Sequence, residues 1–362
     1  MKFWKWKSED QASPAVQGSW IPLRVASRAM CCAVGHNAPA ATAAINARMN
    51  HFRETEFVDD SDDPIIGSAL YDVPVWGAER LRAMLHAVAA ESLHALNRIE
   101  HARIAILLLT PEAERPGMPH DTLADDLAQL VAGDVEGMGP FHPRSGMYAC
   151  GKGGIARGLH EAALLLSGVD ALDYVLLAAV DSLLDAGAIE HFLAEERLAT
   201  TVNADGFIPG EGAAAIVLSA QAAELPGLWI ESAATAQENW RIHGDVPLRA
   251  TGLTAAIREA ARLAGISIGA LDFHASGMTG EAWYAKEVSM AVTRVLEERK
   301  PEFPHLMVAG RVGETGTAAP VLTLAWLADV MGRADSSPGH SALLHFAGDD
   351  GHRAALIVRH RT

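Results

Sequence analysis

The sequence predicts an α/β fold with layered helices and mostly buried strands, and three observations carry that reading. Unbroken apolar runs such as "ARIAILLLT" and "DYVLLAAV" alternate along the chain with segments whose apolar residues recur at helical intervals. An unbroken apolar run marks a strand covered on both faces, which requires helices packed against each side of a sheet. Of the 362 residues, 49% are hydrophobic, enough to fill a core of that thickness.

The chain begins "MKFWKWKSEDQASP", basic and aromatic, with no long apolar stretch behind it. It therefore reads as neither a signal peptide nor a membrane span. Residues 1–18 are expected to form a solvated tail in which Trp4 and Trp6 are the groups able to touch a surface. "WIPLRVASRAMCCAVG" reads as an opening strand, "AATAAINARMNHF" as a helix, "GAERLRAMLHAVAAESLHALNRIE" as a long amphipathic helix and "ARIAILLLT" as a strand. Residues 111–148 read as loop-rich around a helix near "TLADDLAQLV". In "GGIARGLHEAALLLSG", Ile155, Leu159, Ala162 and Leu166 fall on one helical face. "DYVLLAAV" is the next buried strand. The strands "AAAIVLS" and "GLWIESAAT" flank a change of pace at "AQAAELPG", the expected boundary between an N-terminal half, 19–222, and a C-terminal half, 223–362. The second half continues with the helix "LTAAIREAARLAG", the strand "LDFHAS", a helix ending "VTRVLEERK", the strand "HLMVAG" and the helix "AAPVLTLAWLADVMG". The strands "SALLHFAG" and "RAALIVRH" close it. No sequence repeat relates the halves.

Forty-five acidic against 29 basic residues give a formal charge of −16, which argues against a nucleic-acid partner because phosphate binding needs a basic surface. The three cysteines, the neighbours Cys31 and Cys32 and the distant Cys150, form no disulfide framework and no zinc-ligand spacing. A reducing, cytoplasmic compartment is expected, with neither metal nor cofactor. Asp349, Asp350 and His352 are metal-ligating residue types, but the stretch reads better as an exposed polar turn.

"NADGFIPGEGAAAIVLS", residues 203–219, places Asp205, Gly206, Pro209, Gly210 and Glu211 immediately before a buried strand. Such backbone-permissive residues turn the chain and bring it close to another element. The stretch resembles the "DGF-x-x-GEGA" signature of β-ketoacyl synthases, the condensing enzymes of the thiolase fold. Other landmarks follow in the same order. "YACGKGGIARGLHEAALLLSG" resembles the family's nucleophile elbow and "LLAAVDSLLD" its "GGVDSL" strand and turn. "LDFHASGMTGEAWYAKE" sits where the family has "HGTGT", "VGETGTAAPVLTLAW" where it has "GHTGAAAG", and "LLHFAGDDGHRAALIV" at its "GFGGTN" loop. Together they span roughly residues 20–360. The resemblance implies a five-layered α/β/α/β/α fold built from two similar halves, and a dimer. It also implies an acyl group on acyl carrier protein or coenzyme A as the ligand. Asp205 and Glu211 are expected to brace the loop rather than to act as paired catalytic carboxylates.

A ketosynthase needs a thiolate to accept the acyl group and two basic side chains to decarboxylate the extender. Cys150 suits the first role: it precedes a glycine-rich helix start, where a thiol's pKa falls, with Lys152 nearby. Gly151, Gly153 and Gly154 are expected to let a substrate approach the backbone. Two registers stand for the first base. Aligning "HASGM" on "HGTGT" makes His274 the base; anchoring on "LDF" puts Ser276 there and removes it. At the second position Glu314 replaces the family's histidine, and Ala309 replaces the lysine five residues earlier. A carboxylate there repels the malonyl carboxylate and donates no hydrogen bond to an enolate unless protonated, so ordinary condensation is not expected. Two functional readings remain. In one, Cys150, His274 and Glu314 form a Cys–His–acid set for acyl transfer or thioester hydrolysis. In the other, the site is inactive and the chain acts as a chain-length-factor-like subunit of an active ketosynthase or as an accessory binding partner. A homodimer and such a heterodimer stay equally open.

Overall fold

In chain order the first half comprises β1 (Leu23–Cys32), α1 (Ala38–Asn46), the hairpin of β2 (Arg53–Val58) and β3 (Pro64–Gly67), and α2 (Gly77–His94). It continues with β4 (Ile104–Thr110), α3 (His120–Ala132), β5 (Gly146–Ala149), α4 (Ile155–Leu165), β6 (Tyr174–Ser182), α5 (Ala186–Ala194) and β7 (Glu211–Ser219). The second comprises β8 (Gly227–Gln237), α6 (Thr251–Ala264), β9 (Phe273–Ser276), α7 (Ala282–Val295), β10 (His305–Met307), α8 (Ala309–Val312), α9 (Ala318–Val330), β11 (Ser341–Ala347) and β12 (His352–Arg361). The computed structural model describes residues 20–362 apart from 97–102, 134–136, 221–224, 241, 243 and 245. The tail expected over residues 1–18 and the boundary expected at 222 lie outside the described residues.

The strands of the first half run in the order β1-β7-β6-β4-β5, antiparallel at the first two seams and parallel at the last two. Those of the second half run β8-β12-β11-β9-β10 with the same sequence of directions. The topology is thus written twice, strand for strand, although the sequence shows no repeat. The halves join where β1 pairs with β8 through Leu23 and Ile230 and through Arg24 and Trp229.

Strands alternate their side chains between faces, so each half-sheet needs cover on both. Leu81, Met84 and Leu85 of α2 and Leu123 and Leu127 of α3 pack on the outer face of the first half, against Ile106, Leu108 and Val180. Leu253 and Ile257 of α6 and Val295 of α7 cover the outer face of the second, against Leu343 and Ile357. Between the halves lie α4 and α9, whose Ile155, Leu159, Val321 and Leu324 share one core with Leu107, Leu109, Phe273 and Leu344. The result is five layers, α/β/α/β/α. The central α9 is buried on nearly every side, which explains why "AAPVLTLAWLADV" is apolar all round.

The structure adds elements the sequence reading did not contain. β5 lies inside the span read as loop, held as a strand by parallel pairing of Gly146–Ala149 with Leu107–Thr110. The β2–β3 hairpin is a separate two-stranded sheet, and α5 is capped by Asp185, whose carboxylate accepts from the Gly187 N–H at 2.9 Å. "HLMVAG" is a strand only as far as Met307 and turns helical at Ala309. No helix among the described residues is long and apolar enough to cross a membrane.

Candidate functional site

The elbow follows β5. The Cys150 and Gly151 N–H groups both donate to the Thr110 carbonyl at the end of β4, at 3.1 and 3.2 Å. Gly151 has φ +55° and ψ −162°, a conformation that a side chain disfavours. A Cβ there would also fall 1.8 Å from a carboxylate oxygen of Glu112. A Cβ on Gly154 would lie 1.9 Å from the Cys150 sulfur, and one on Gly153 2.6 Å from the His352 carbonyl oxygen. The space these glycines open is filled by the protein's own groups, not left for a ligand. Cys150 is 6% exposed and its thiol donates to the Tyr148 carbonyl oxygen at 3.4 Å.

Beyond the elbow, Lys152 Nζ lies 2.5 Å from Glu314 Oε2, and the other Glu314 oxygen accepts from the Gly316 N–H at 2.7 Å. Burial works against the Lys152 charge, but Glu314 and Asp349 outweigh it and raise the ammonium's pKa overall. The "DGFIPGEGA" stretch holds Glu314 in place. Its Gly210 N–H donates to the Glu314 carbonyl at 2.9 Å, and the Glu314 N–H donates to the Ile208 carbonyl at 2.8 Å. The glycines of that stretch are needed for space: a Cβ on Gly210 would sit 2.5 Å from the Val312 carbonyl oxygen, and one on Gly206 2.4 Å from the Leu198 carbonyl carbon. Glu211, fully buried, takes both arms of the Arg80 guanidinium at 2.8 and 2.5 Å, the Leu70 N–H at 2.7 Å and the Ser182 hydroxyl at 3.1 Å. Asp205 accepts from the Ala282 N–H at 2.6 Å, where α7 begins.

Charged groups pack around the Lys152–Glu314 pair. Asp181 accepts from Arg115 and from the Thr317 N–H. Arg197 forks between Glu281, at 2.7 and 3.2 Å, and Asp349, at 3.0 and 3.1 Å. Tyr284 also donates its hydroxyl to Asp349. The turn read as exposed and polar is therefore anchored through Asp349. Burial raises the Asp349 carboxyl, but Arg197 and Lys152 beside it prevail and hold it at about 2. Burial, then the charges of Asp349 and Asp350, push Glu112 up to about 7. One cavity, about 30 Å³, touches Lys152, Glu314, Asp181, Arg197 and Asp349. A second, about 20 Å³, lies between Lys152, Ser276, Tyr284, His345 and Phe346. Each has room for about one or two waters.

Ser276 lines the second cavity with Lys152, and the position of a Cβ on the adjacent Gly277 is 3.7 Å from Lys152 Cδ. His274 lies one strand period back along β9. Its Nδ1 is 3.0 Å from His345 Nε2, and its ring stacks on His305 at 4.1 Å between centroids and on Phe303 at 4.9 Å. Burial, helped by His305, depresses His274 to about 3; burial alone takes His305 to about 4 and, with its two neighbours, keeps His345 well below the usual imidazole range. Glu314 is held by Lys152 and Gly316, His274 by His345, and the Cys150 thiol by the Tyr148 carbonyl. Sequence reasoning missed His305 and His345. The parallel register that pairs His305 with His274, and His345 with Ser276, is what brings them together.

No protein-family model matches this sequence, and no curated protein matches it. Solved structures match closely in shape. A type II polyketide synthase ketosynthase, bound to a hexaketide and in complex with its acyl-carrier protein, superimposes with a TM-score of 0.74 at 14% identity, covering 94% of this chain and 99% of that one. A ketosynthase in complex with its chain length factor from Xenorhabdus doucetiae gives 0.68 at 14% identity, covering 94% and 98%. The ketosynthase from module 6 of the bacillaene synthase of Bacillus subtilis gives 0.74 at 16% identity, covering 94% and 72%. The five layers, the doubled strand order and these superpositions agree: the chain has the fold of the ketosynthases and chain length factors.

Proposed function

We propose that this chain is a non-condensing, chain-length-factor-like partner of an active ketosynthase. The ion pair between Lys152 and Glu314 carries the reading. A lysine that leaves its charge on a glutamate 2.5 Å away is not free to bind a malonyl carboxylate, and the glutamate is an anion where condensation needs a hydrogen-bond donor. Ser276 beside Lys152 supplies no base, and the two cavities flanking the pair have room for a water or two but not for an acyl chain. A ketosynthase paired with its chain length factor is among the structures this chain resembles. The charge of −16 suits a subunit that leaves the docking of an acidic carrier protein to its partner. Its place of work in this reading is the cytoplasm.

The test is co-expression with a ketosynthase that retains its cysteine and both histidines, followed by native mass spectrometry. A one-to-one heterodimer is expected, with product length changing when this chain is altered. A homodimer that never exchanges with the ketosynthase overturns the proposal. One observation favours the second reading, acyl transfer or hydrolysis through Cys150: the sulfur stands at the Gly151 turn, one short 3-10 turn (Lys152–Gly154) ahead of α4, near a helix N-terminus of the kind that favours a thiolate. Intact-protein mass after incubation with acyl-coenzyme A and acyl-carrier thioesters separates the two. A mass gain lost in Cys150→Ala establishes the nucleophile and overturns the non-catalytic reading.

A further inference from the structure

Three histidines, distant in sequence, meet on one face of the second half-sheet. β10, β9 and β11 are neighbouring parallel strands. His305 pairs with His274, and His345 sits across from Ser276, two residues further along the same face. One ring nitrogen from each of His274, His305 and His345 lies within 4.8 Å of the others. His274 and His345 are buried, at 6% and 2% exposure, and His305 is half-buried.

We propose that His274, His305 and His345 bind a zinc ion, with a water at the fourth position. Zinc takes imidazole nitrogens at about 2.0–2.1 Å in a tetrahedron, which sets neighbouring donors about 3.3 Å apart. The His274–His345 nitrogens, at 3.0 Å, are already near that spacing. Stacking on Phe303 steadies the His274 ring. The His305 ring, which lies face to face with that of His274 at 12° between planes, must turn its edge toward the other two for its in-plane lone pair to meet the ion. Ser276 Oγ, 2.7 Å from its Nε2, is placed to orient it. Neutral imidazole is the ligand form, and the apolar burial of these rings keeps them in it. The cavity of about 20 Å³ bounded by Ser276 and His345 gives a bound water its place. Three protein nitrogens with an open fourth position suit zinc, or cobalt as its stand-in, and suit magnesium and calcium poorly, since those prefer oxygen. The site stands whether or not the chain pairs with a ketosynthase.

The experiment uses the whole chain, stripped with chelator and titrated separately with Zn²⁺ and Co²⁺. One ion per chain is expected, with the visible d–d bands of tetrahedral nitrogen-ligated cobalt and a rise in melting temperature with Zn²⁺. His305→Ala, at the least buried of the three, is expected to weaken Zn²⁺ binding at least tenfold while the circular dichroism spectrum is kept. Wild-type protein that takes up no ion overturns the proposal, and so does binding that His305→Ala leaves unchanged. If that variant fails to fold, Ser276→Ala in its place is expected to alter the cobalt spectrum without abolishing uptake. An unaltered spectrum, or octahedral cobalt in the wild type, overturns the site.

Discussion

Lys152 and Glu314, 162 residues apart, form an ion pair at 2.5 Å, the lysine from the turn after β5 and the glutamate from the loop after α8. Both side chains are largely enclosed, at 13% and 5% exposure. Removing one partner strands the other charge away from water, whereas replacing both with apolar residues does not. Glu314→Gln or Lys152→Met alone is expected to cost about 3–5 kcal/mol, and the double variant Lys152→Met/Glu314→Leu far less than their sum. Denaturant titration of all four proteins closes the cycle, and additive costs would show that the pair is not coupled.

Restoring a single family residue is not expected to restore condensation. In Glu314→His the new imidazole would face a freed Lys152, while the side chain lining the cavity beside that lysine is still Ser276 rather than a base. Malonyl decarboxylation, followed as CO₂ release, should stay at background. A clear rate would mean that Ser276 is not where the first base belongs.

Glu112 ties stability to pH. Its carboxyl titrates at about 7 in the fold against about 4.5 in an unfolded chain. Between those values the unfolded chain sheds a proton that the folded one keeps. Stability from this group is therefore full below about pH 4.5 and declines as pH rises toward 7, by up to about 1.4 kcal/mol per pH unit. Glu112→Gln should remove that slope, read as the difference between mutant and wild-type denaturation across the window.

The histidine cluster works in the opposite direction. With His274 at about 3 and His305 at about 4, against 6.5 unfolded, the unfolded chain takes up protons that the folded rings refuse. Metal-free protein should lose stability as pH falls from about 6.5 toward 4, and His305→Gln should show a shallower decline. A decline of unchanged steepness would count against burial of these rings as its source.

Space, rather than conformational freedom, is what Gly206 provides. A Cβ there would press on the backbone of Leu198 and Ala199, whereas one on Gly133 would meet nothing within 4 Å. Gly206→Ala is expected to cost about 1–3 kcal/mol by overpacking, and Gly133→Ala close to nothing. Melting temperatures of the two variants give the comparison directly.

The long apolar strands were legible in the sequence because burial on both faces keeps them apolar until their ends: β4 is buried throughout and β6 nearly so. β5 was not, since four residues carry no readable period and its pairing partner lies in β4. The doubled strand order was invisible for a deeper reason: ladders are made by backbone groups, which place little demand on side-chain identity. At the site, the motifs located Cys150, Lys152 and Glu314 but not the bond between the last two, because nothing local links a lysine to a glutamate across half the chain. The meeting of His274 with His305 and His345 depends on strand register and so could be read only in space.

The doubled topology has a consequence for how such a protein changes over time. Asp181 closes β6 and Asp349 follows β11, strands in equivalent places, and each acid has an arginine of its own, Arg115 and Arg197. Both halves therefore deliver loop tips to one spot, while the hydrogen-bonded sheets stand behind them. Ser276 ends β9 and Glu314 lies in the loop after α8, so changes of side chain at either leave the ladders unbroken. A scaffold of this kind can change its rim one side chain at a time while the silhouette stays the same.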